Sequence, residues 1–308
     1  MESSAQSTPP PRTPLGDHRR QWRNCLYVYP VVSRRSRGLS IGVNLNRDKR
    51  CNFGCVYCQV NRRIKPKHVS TNLSILYDEL CMVLEDALTG RIWDDRRFSS
   101  TPQELRRVND VAFSGNGEPT CVPDFHSAVA TAARALSDAV QEFDPEAAGT
   151  IKLILLTNAT ALTSPQVRRA LPHLDKAGGE IWAKLDAGTE EQFQRVNRPA
   201  EGLTLAGIIE NIVDVARDRA VVIQSLFSRL DGQAPTEQEI AAYCQRVDEI
   251  VAAGGQIKAI HVHTIARKPA RRRGAEPLTN EELDAIAQQI HDSVNVPIEV
   301  FYGIVNQL

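Results

Sequence analysis

Three cysteines, Cys51, Cys55 and Cys58, fall within eight residues of the stretch "RDKRCNFGCVYCQVNRR" (47–63), in a 308-residue chain that has seven cysteines in all. Clustered thiols do one of two things: they hold a metal, or they exchange as a redox disulfide. The odd total and the scatter of the remaining cysteines do not make a disulfide framework, so metal binding or catalysis in a reducing compartment is the stronger expectation. Three thiolates are one ligand short of a structural zinc site, which takes four; His68, ten residues beyond Cys58, is the candidate fourth. A four-iron cubane held by three cysteines instead leaves one iron free to bind a ligand, which suits catalysis better than electron storage.

Such a site needs elements to position it, and the chain supplies them in a regular order. Short β-branched or apolar runs, "LSIGVNL", "VNDVAFSG", "IKLILLTN", "EIWAKLD", "AVVIQSLF", "QIKAIHVHT" and "PIEVFY", alternate with amphipathic segments. They read as buried parallel strands separated by helices. Ser164 with Pro165 marks a helix start, Thr236 with Glu239 and Thr279 with Glu282 have capping-box spacing, and Gly254 and Gly255 end the helix that Thr236 begins. Six or seven βα units predict an α/β fold, a partial (β/α)6-type barrel of mostly parallel strands, over residues 25–308; a doubly wound sheet has the same pattern. The cysteine loop then follows the first strand, at the C-terminal ends where such folds place their chemistry.

Residues 1–24, rich in Pro, Ser and Arg, are expected to form a disordered tail. A hydrophobic content of 42% suffices for a large core, and the sequence has neither an eighteen-residue apolar run nor an apolar leader. The expectation is a cytoplasmic protein with no membrane partner. Lys plus Arg and Asp plus Glu balance at 37 each, so the overall charge selects no class of partner.

The spacing C-x3-C-x-aromatic-C at Cys51, Cys55, Tyr57 and Cys58 resembles that of the radical S-adenosylmethionine (SAM) enzymes. The resemblance extends over most of residues 39–302 and includes a glycine motif after the second strand, here "FSGNGEPT". With "SRRSRGLSIGVN", "LLTNAT" and "KLDAGTEEQFQRVNRP", it is most similar to a branch holding wyosine-type tRNA-modifying proteins and unassigned relatives. Those wyosine enzymes carry further cysteines for a second cluster, whereas only Cys25 lies upstream here. The resemblance implies a [4Fe–4S] cluster on Cys51, Cys55 and Cys58, with SAM chelating its open iron. Reductive cleavage of SAM would yield a radical that abstracts hydrogen from substrate, the electron coming from a flavodoxin- or ferredoxin-like donor. The protein's share is positioning and exclusion of water.

The resemblance assigns cofactor contacts to further residues, each with a plainer alternative. Gly115, Asn116, Gly117 and Glu118 would let main-chain groups approach the methionine moiety, or would form a tight turn. Tyr57 would meet the adenine edge through its main chain, or fill the core. Asn158, after Thr157, would reach the ribose or carboxylate, or cap a helix. Lys184 and Asp186, two apart on a strand, would bind carboxylate and ribose, or pair with each other. Gln224 would contact ribose, or bond a neighbouring strand end. His261 and His263 share a strand face two residues apart, a spacing that metal sites use; as a single pair without a carboxylate nearby they read as structural or substrate-facing residues of the pocket. Cys81 and Cys244 sit at helical spacing among apolar residues and read as core; Cys121 follows "GEPT" and reads as packing near the mouth.

Three basic segments, "SRRSRG", "RRIKPKH" and "RKPARRR", follow or flank predicted strand ends. They suit tRNA or another phosphate-bearing substrate, or are solvated loops. Aromatic residues are 6% of the chain and are not interleaved with the arginines, which gives no base-stacking platform. A non-enzymatic zinc- or RNA-binding module using the same cysteines and loops is the competing class of function.

Overall fold

The computed structural model describes Asp17 and residues 19–63, 70–270 and 274–303. In chain order they form β1 (Val28–Ser33), β2 (Gly38–Val43), α1 (Leu73–Leu88), β3 (Val108–Phe113), α2 (Phe125–Phe143), β4 (Lys152–Thr157) and α3 (Pro165–Lys176). There follow β5 (Glu180–Lys184), α4 (Glu190–Val196), α5 (Leu205–Ala216), β6 (Val221–Leu226), β7 (Arg229–Leu230), α6 (Glu237–Ala252), β8 (Ile257–His263), β9 (Ala275–Glu276), α7 (Asn280–Ser293) and β10 (Ile298–Phe301). One sheet runs β1-β2-β3-β4-β5-β6-β8-β10, and β7 pairs with β9 in a small ribbon. From β2 onward every neighbouring pair in the large sheet is parallel. The sheet is open, with β1 and β10 as its edges, so the architecture is the expected partial barrel and not a doubly wound sheet.

Alternation along the strands sorts the core into two faces. Leu39, Ile41, Val43, Val111, Phe113, Leu153, Leu155, Ile223, Ile260 and Val262 belong to the large core packed beneath the helices. Their neighbours in sequence turn inward, where Ala112, Ile154, Trp182 and Val222 form a separate apolar layer across the barrel. That layer divides the interior. One cavity opens at the C-terminal ends of the strands, and another lies at the N-terminal ends.

The helices bury the faces their sequences dictate. In α1, Leu76, Leu80, Val83, Leu84 and Ala87 recur at helical spacing and are buried, so Leu80→Ala should cost about 2–5 kcal/mol. The same helix buries Glu79, whose carboxylate accepts backbone N–H bonds from Leu26 (2.6 Å), Tyr27 (2.8 Å) and Val28 (3.1 Å) and so fixes the start of β1. Both capping boxes form, and Cys244 lies in the core of α6 with Cys81 half-buried in α1. Among the described residues no helix is long and apolar enough to cross a membrane.

Two expectations are corrected. β1 was not anticipated: it pairs antiparallel with β2, bringing Pro30 opposite Ile41, and a proline without an N–H is tolerated because β1 is an edge strand. The supposed tail is ordered in part. Trp22 is buried, with its ring 5.5 Å from that of Phe98, and Asp17 receives Arg97 at 3.5 Å and Arg19 at 2.5 Å. An aromatic anchor outweighs the polar composition around it; residues 1–16 and 18 lie outside the described residues.

Candidate active site

The cysteine loop leaves β2 and spans the upper mouth of the barrel. Cys51, Cys55 and Cys58 border one cavity of about 290 Å³, and each sulfur accepts an N–H. Phe53 N donates to Cys51 Sγ (3.4 Å), Asn197 Nδ2 to Cys55 Sγ (3.7 Å) and an Arg62 guanidinium nitrogen to Cys58 Sγ (3.6 Å). Such donors stabilise negative charge on sulfur, the condition a thiolate ligand requires. Burial, with Glu118 nearby, pushes the Cys51 thiol up to about 12, so a bound metal would have to displace its proton. Among the described residues no three His, Cys, Asp or Glu side chains are gathered as a single ion needs, whereas a cubane meets its three cysteines at separate irons. The candidate zinc ligand His68 lies outside the described residues.

Two segments hold this loop in place. The first is "RVNRP": Gly54 N donates to the carbonyls of Asn197 and Arg198, Val56 N to Val196 O and Ala200 N to Asn52 O, a strap of main-chain bonds across the loop. The second is the glycine motif. A Cβ on Gly117 would sit 1.8 Å from Arg50 O, and one on Gly115, at φ +148°, would sit 2.4 Å from Asn44 Oδ1. The close approach these glycines permit is therefore that of the chain's own loop, immediately before Cys51, and not only that of a ligand.

The carboxylates expected to face the cofactor are turned to structural work. Buried Glu118 accepts Thr157 Oγ1 (2.6 Å), Thr120 Oγ1 (2.6 Å) and Asn158 N (2.7 Å), while its carbonyl accepts Asn46 Nδ2 (3.0 Å). It thus ties the glycine motif to the end of β4. Asp186, whose side chain is fully buried, accepts the Tyr57 hydroxyl, Asn197 Nδ2 (2.6 Å) and Leu226 N (2.9 Å), and lies 3.4 Å from Lys184 Nζ. With its oxygens so occupied, Asp186 does not border the cavity. Asn116 does not either; its Oδ1 accepts Arg20 at 2.8 Å and its carbonyl accepts Arg62 at 2.8 Å.

The other expected residues, Tyr57, Gly115, Gly117, Glu118, Asn158, Lys184 and Gln224, do border the cavity with the three cysteines. Lys184 Nζ lies 5.1 Å from the centre of the Tyr57 ring, whose hydroxyl is engaged by Asp186. Asn158 Nδ2 donates to Asn52 Oδ1 (2.6 Å), leaving little of that amide for a ribose. Gln224 is 4% exposed and its Nε2 has no hydrogen-bond partner. The histidine pair is split: His263 borders the upper cavity and His261 the lower, packed edge-on against Trp182 with ring centres 4.9 Å apart. Burial pushes His261 down to about 4 and His263 well below its ordinary value, so both are neutral. Asn52 and Asn197 were missed as individual residues, although Asn197 lies in the quoted "QRVNRP".

The cavity's rim is basic. Arg20, Arg34, Arg35, Arg62 and Arg267 border it along with Lys184, and its sole acid among the described lining residues is the engaged Glu118. Residues 271–273 and most of "RRIKPKH" lie outside the described residues.

No protein-family profile matches the chain. It is similar to a UPF0026 protein of Synechocystis sp., 30% identical over 186 residues, 60% of this chain and 57% of that protein. It is also similar to a protein described as GTPase Obg of Brachyspira hyodysenteriae, 21% identical over 275 residues, 88% of this chain and 34% of that one. The chain spans between 34% and 62% of the lengths of the curated relatives it matches. Among solved structures, a radical SAM methyltransferase from Sphaerobacter thermophilus superposes with TM-score 0.59 at 12% identity, covering 91% of this chain and 70% of that one. Streptococcus suis SuiB bound to S-adenosylmethionine gives 0.54 at 12% identity, covering 84% and 50%. The chain therefore has the fold of radical SAM enzymes.

Proposed function

We propose that the chain is a radical SAM enzyme, holding a [4Fe–4S] cluster on Cys51, Cys55 and Cys58 and SAM beside it in the upper cavity. The observation that carries this reading is the set of three thiols, each given an N–H donor, on one cavity at the C-terminal mouth of an open parallel barrel. That one structure of the same fold holds SAM supports it. When bound, the cluster supplies one electron, received from an external flavodoxin- or ferredoxin-like donor, to cleave the sulfonium of SAM.

The chain's own residues position and shield. Asn197 and Arg62 stabilise the charge of two sulfurs, while the "RVNRP" strap and Gly117 fix the loop that presents all three. Lys184 lies beside Asp186 and over the Tyr57 ring, and in this reading it would receive the carboxylate of the methionine moiety. The apolar layer of Ala112, Ile154, Trp182 and Val222 closes the cavity from below and limits access of water.

Anaerobic reconstitution followed by iron, sulfide and zinc analysis tests the reading. We expect about four irons per chain and, with dithionite, release of 5′-deoxyadenosine from SAM. Cys55→Ala should reduce that release to background, whereas Cys81→Ala should retain it. Stoichiometric zinc without a cluster would refute the assignment.

A further inference from the structure

The rim arginines crowd together with little opposing charge among the described residues: Arg35, which also borders the lower cavity, is attracted by Asp110 there, and the one acid bordering the upper cavity is the engaged Glu118. Arg34 and Arg35 lie in the turn between β1 and β2, Arg267 follows β8, and Arg20 lies in the segment before β1; all four are half-buried and border the upper cavity. None makes a side-chain ion pair among the described residues, and Arg34 Nη1 is buried without a hydrogen-bond partner. The neighbours press on one another: burial, followed by Arg20, Arg35 and Arg34, pushes Arg267 down to about 10. Gln224, with its buried partnerless Nε2, adds a donor to the same space.

Cofactor charge does not relieve this excess. A cubane on three thiolates would carry about one negative charge when oxidised, and SAM with its amine unprotonated on iron would be neutral, so the pair would offset only about one of these guanidiniums. Half-buried cations kept together without partners cost stability unless an anion joins them. Guanidinium, planar and weakly hydrated, matches phosphate oxygens in paired hydrogen bonds, and a multiply charged group best matches several guanidiniums. The groups converge on one concave cavity of about 290 Å³ at the open end of the barrel and do not form a stripe along the surface, which favours a compact phosphate group over a polynucleotide backbone.

We infer that the substrate is a small phosphate-bearing molecule whose anionic group is held by Arg34, Arg35 and Arg267, with Arg20 at its edge. This rests on the reading of the upper cavity as the SAM-cleaving site and names the substrate class of that site.

The test is calorimetric titration of pyrophosphate, succinate and total tRNA into the full chain, as isolated and after anaerobic reconstitution. Pyrophosphate should bind saturably with a dissociation constant below about a millimolar, and at least about tenfold more tightly than succinate. Arg34→Gln and Arg267→Gln should each weaken it about tenfold, with Arg34→Lys recovering part of the loss. Melting curves identify any variant that fails to fold, and two separate positions keep the result interpretable. Absent or unsaturable pyrophosphate binding, or binding indifferent to both substitutions, overturns the inference. Equal binding of succinate overturns the phosphate assignment. Binding of tRNA that depends on both arginines and that pyrophosphate does not displace overturns it in favour of RNA. Failure of the parent chain to take up a cluster or cleave SAM refutes the proposed function separately, and the pyrophosphate result stands or falls on its own.

Discussion

The two cavities of this barrel are lined by the same strands and carry cations at similar density, yet they treat charge in opposite ways. In the lower one, Glu180 receives Lys152 and Lys258, each at 2.6 Å, and the Trp182 indole N–H at 2.9 Å; Asp110 and Glu299 add further negative charge. In the upper one, Arg34 and Arg267, with Arg35 shared between the two cavities, border a space whose single acid among the described residues, Glu118, is already engaged by Thr120, Thr157 and Asn158. Matched charges in the lower half hold strands together. In the upper half Arg34 and Arg267 have no ion pair among the described residues, and Cys51, Cys55 and Cys58 border that cavity.

The largest effect that would sharpen this contrast is expected at Gly117. Its missing side chain admits Arg50 O, so Gly117→Ala should displace the segment that leads into Cys51. Iron content after reconstitution should fall at least about fivefold while the lower cavity remains intact, because overpacking strain is relieved by movement of the loop. Full cluster loading in this variant would mean that the glycine serves only a ligand's approach.

Asp186→Asn comes next. The carboxylate is fully enclosed and answers to Tyr57, Asn197, Leu226 N and Lys184, so replacing it leaves an uncompensated ammonium and a misplaced amide. A loss of about 3 kcal/mol in denaturant unfolding is expected, with weaker cluster retention through Asn197. A change below about 1 kcal/mol would show that the upper half is not tied together through this group.

The contrast also explains what could be read from the chain alone. Short β-branched or apolar runs exposed β2 to β6, β8 and β10, and the local spacing of Thr236 with Glu239 exposed a cap, because both are properties of adjacent residues. Cysteine spacing pointed to the loop for the same reason. The roles of Asn197, 142 residues from Cys55, and of Asn52, 106 residues from Asn158, come from contacts that only the folded barrel creates. Asp186 looked like a ligand-facing partner of Lys184 because alternation gives direction but not occupancy. β1 was hidden by Pro30 and by the basic turn after it, and Trp22 by the polar residues around it.

The smallest expected effect belongs to the matched side and tests whether its charges are structural. Burial alone would raise the Glu180 carboxyl, but the bonds from Lys152, Lys258 and Trp182 prevail and carry it down to about 2, against an ordinary 4.5. A carboxyl depressed on folding stabilises the protein above the unfolded value, and that share is lost as pH falls from about 4.5 towards 2. Glu180→Gln should therefore cost roughly 1 kcal/mol at pH 7, a modest figure because both lysines are partly solvated. The variant and the parent should converge in stability as the pH approaches 2, and phosphate affinity at the opposite end of the barrel should not change. A difference that persists undiminished at low pH would assign the loss to packing beside Trp182 instead of charge, and a change in phosphate affinity would show that the two halves are coupled across the apolar layer.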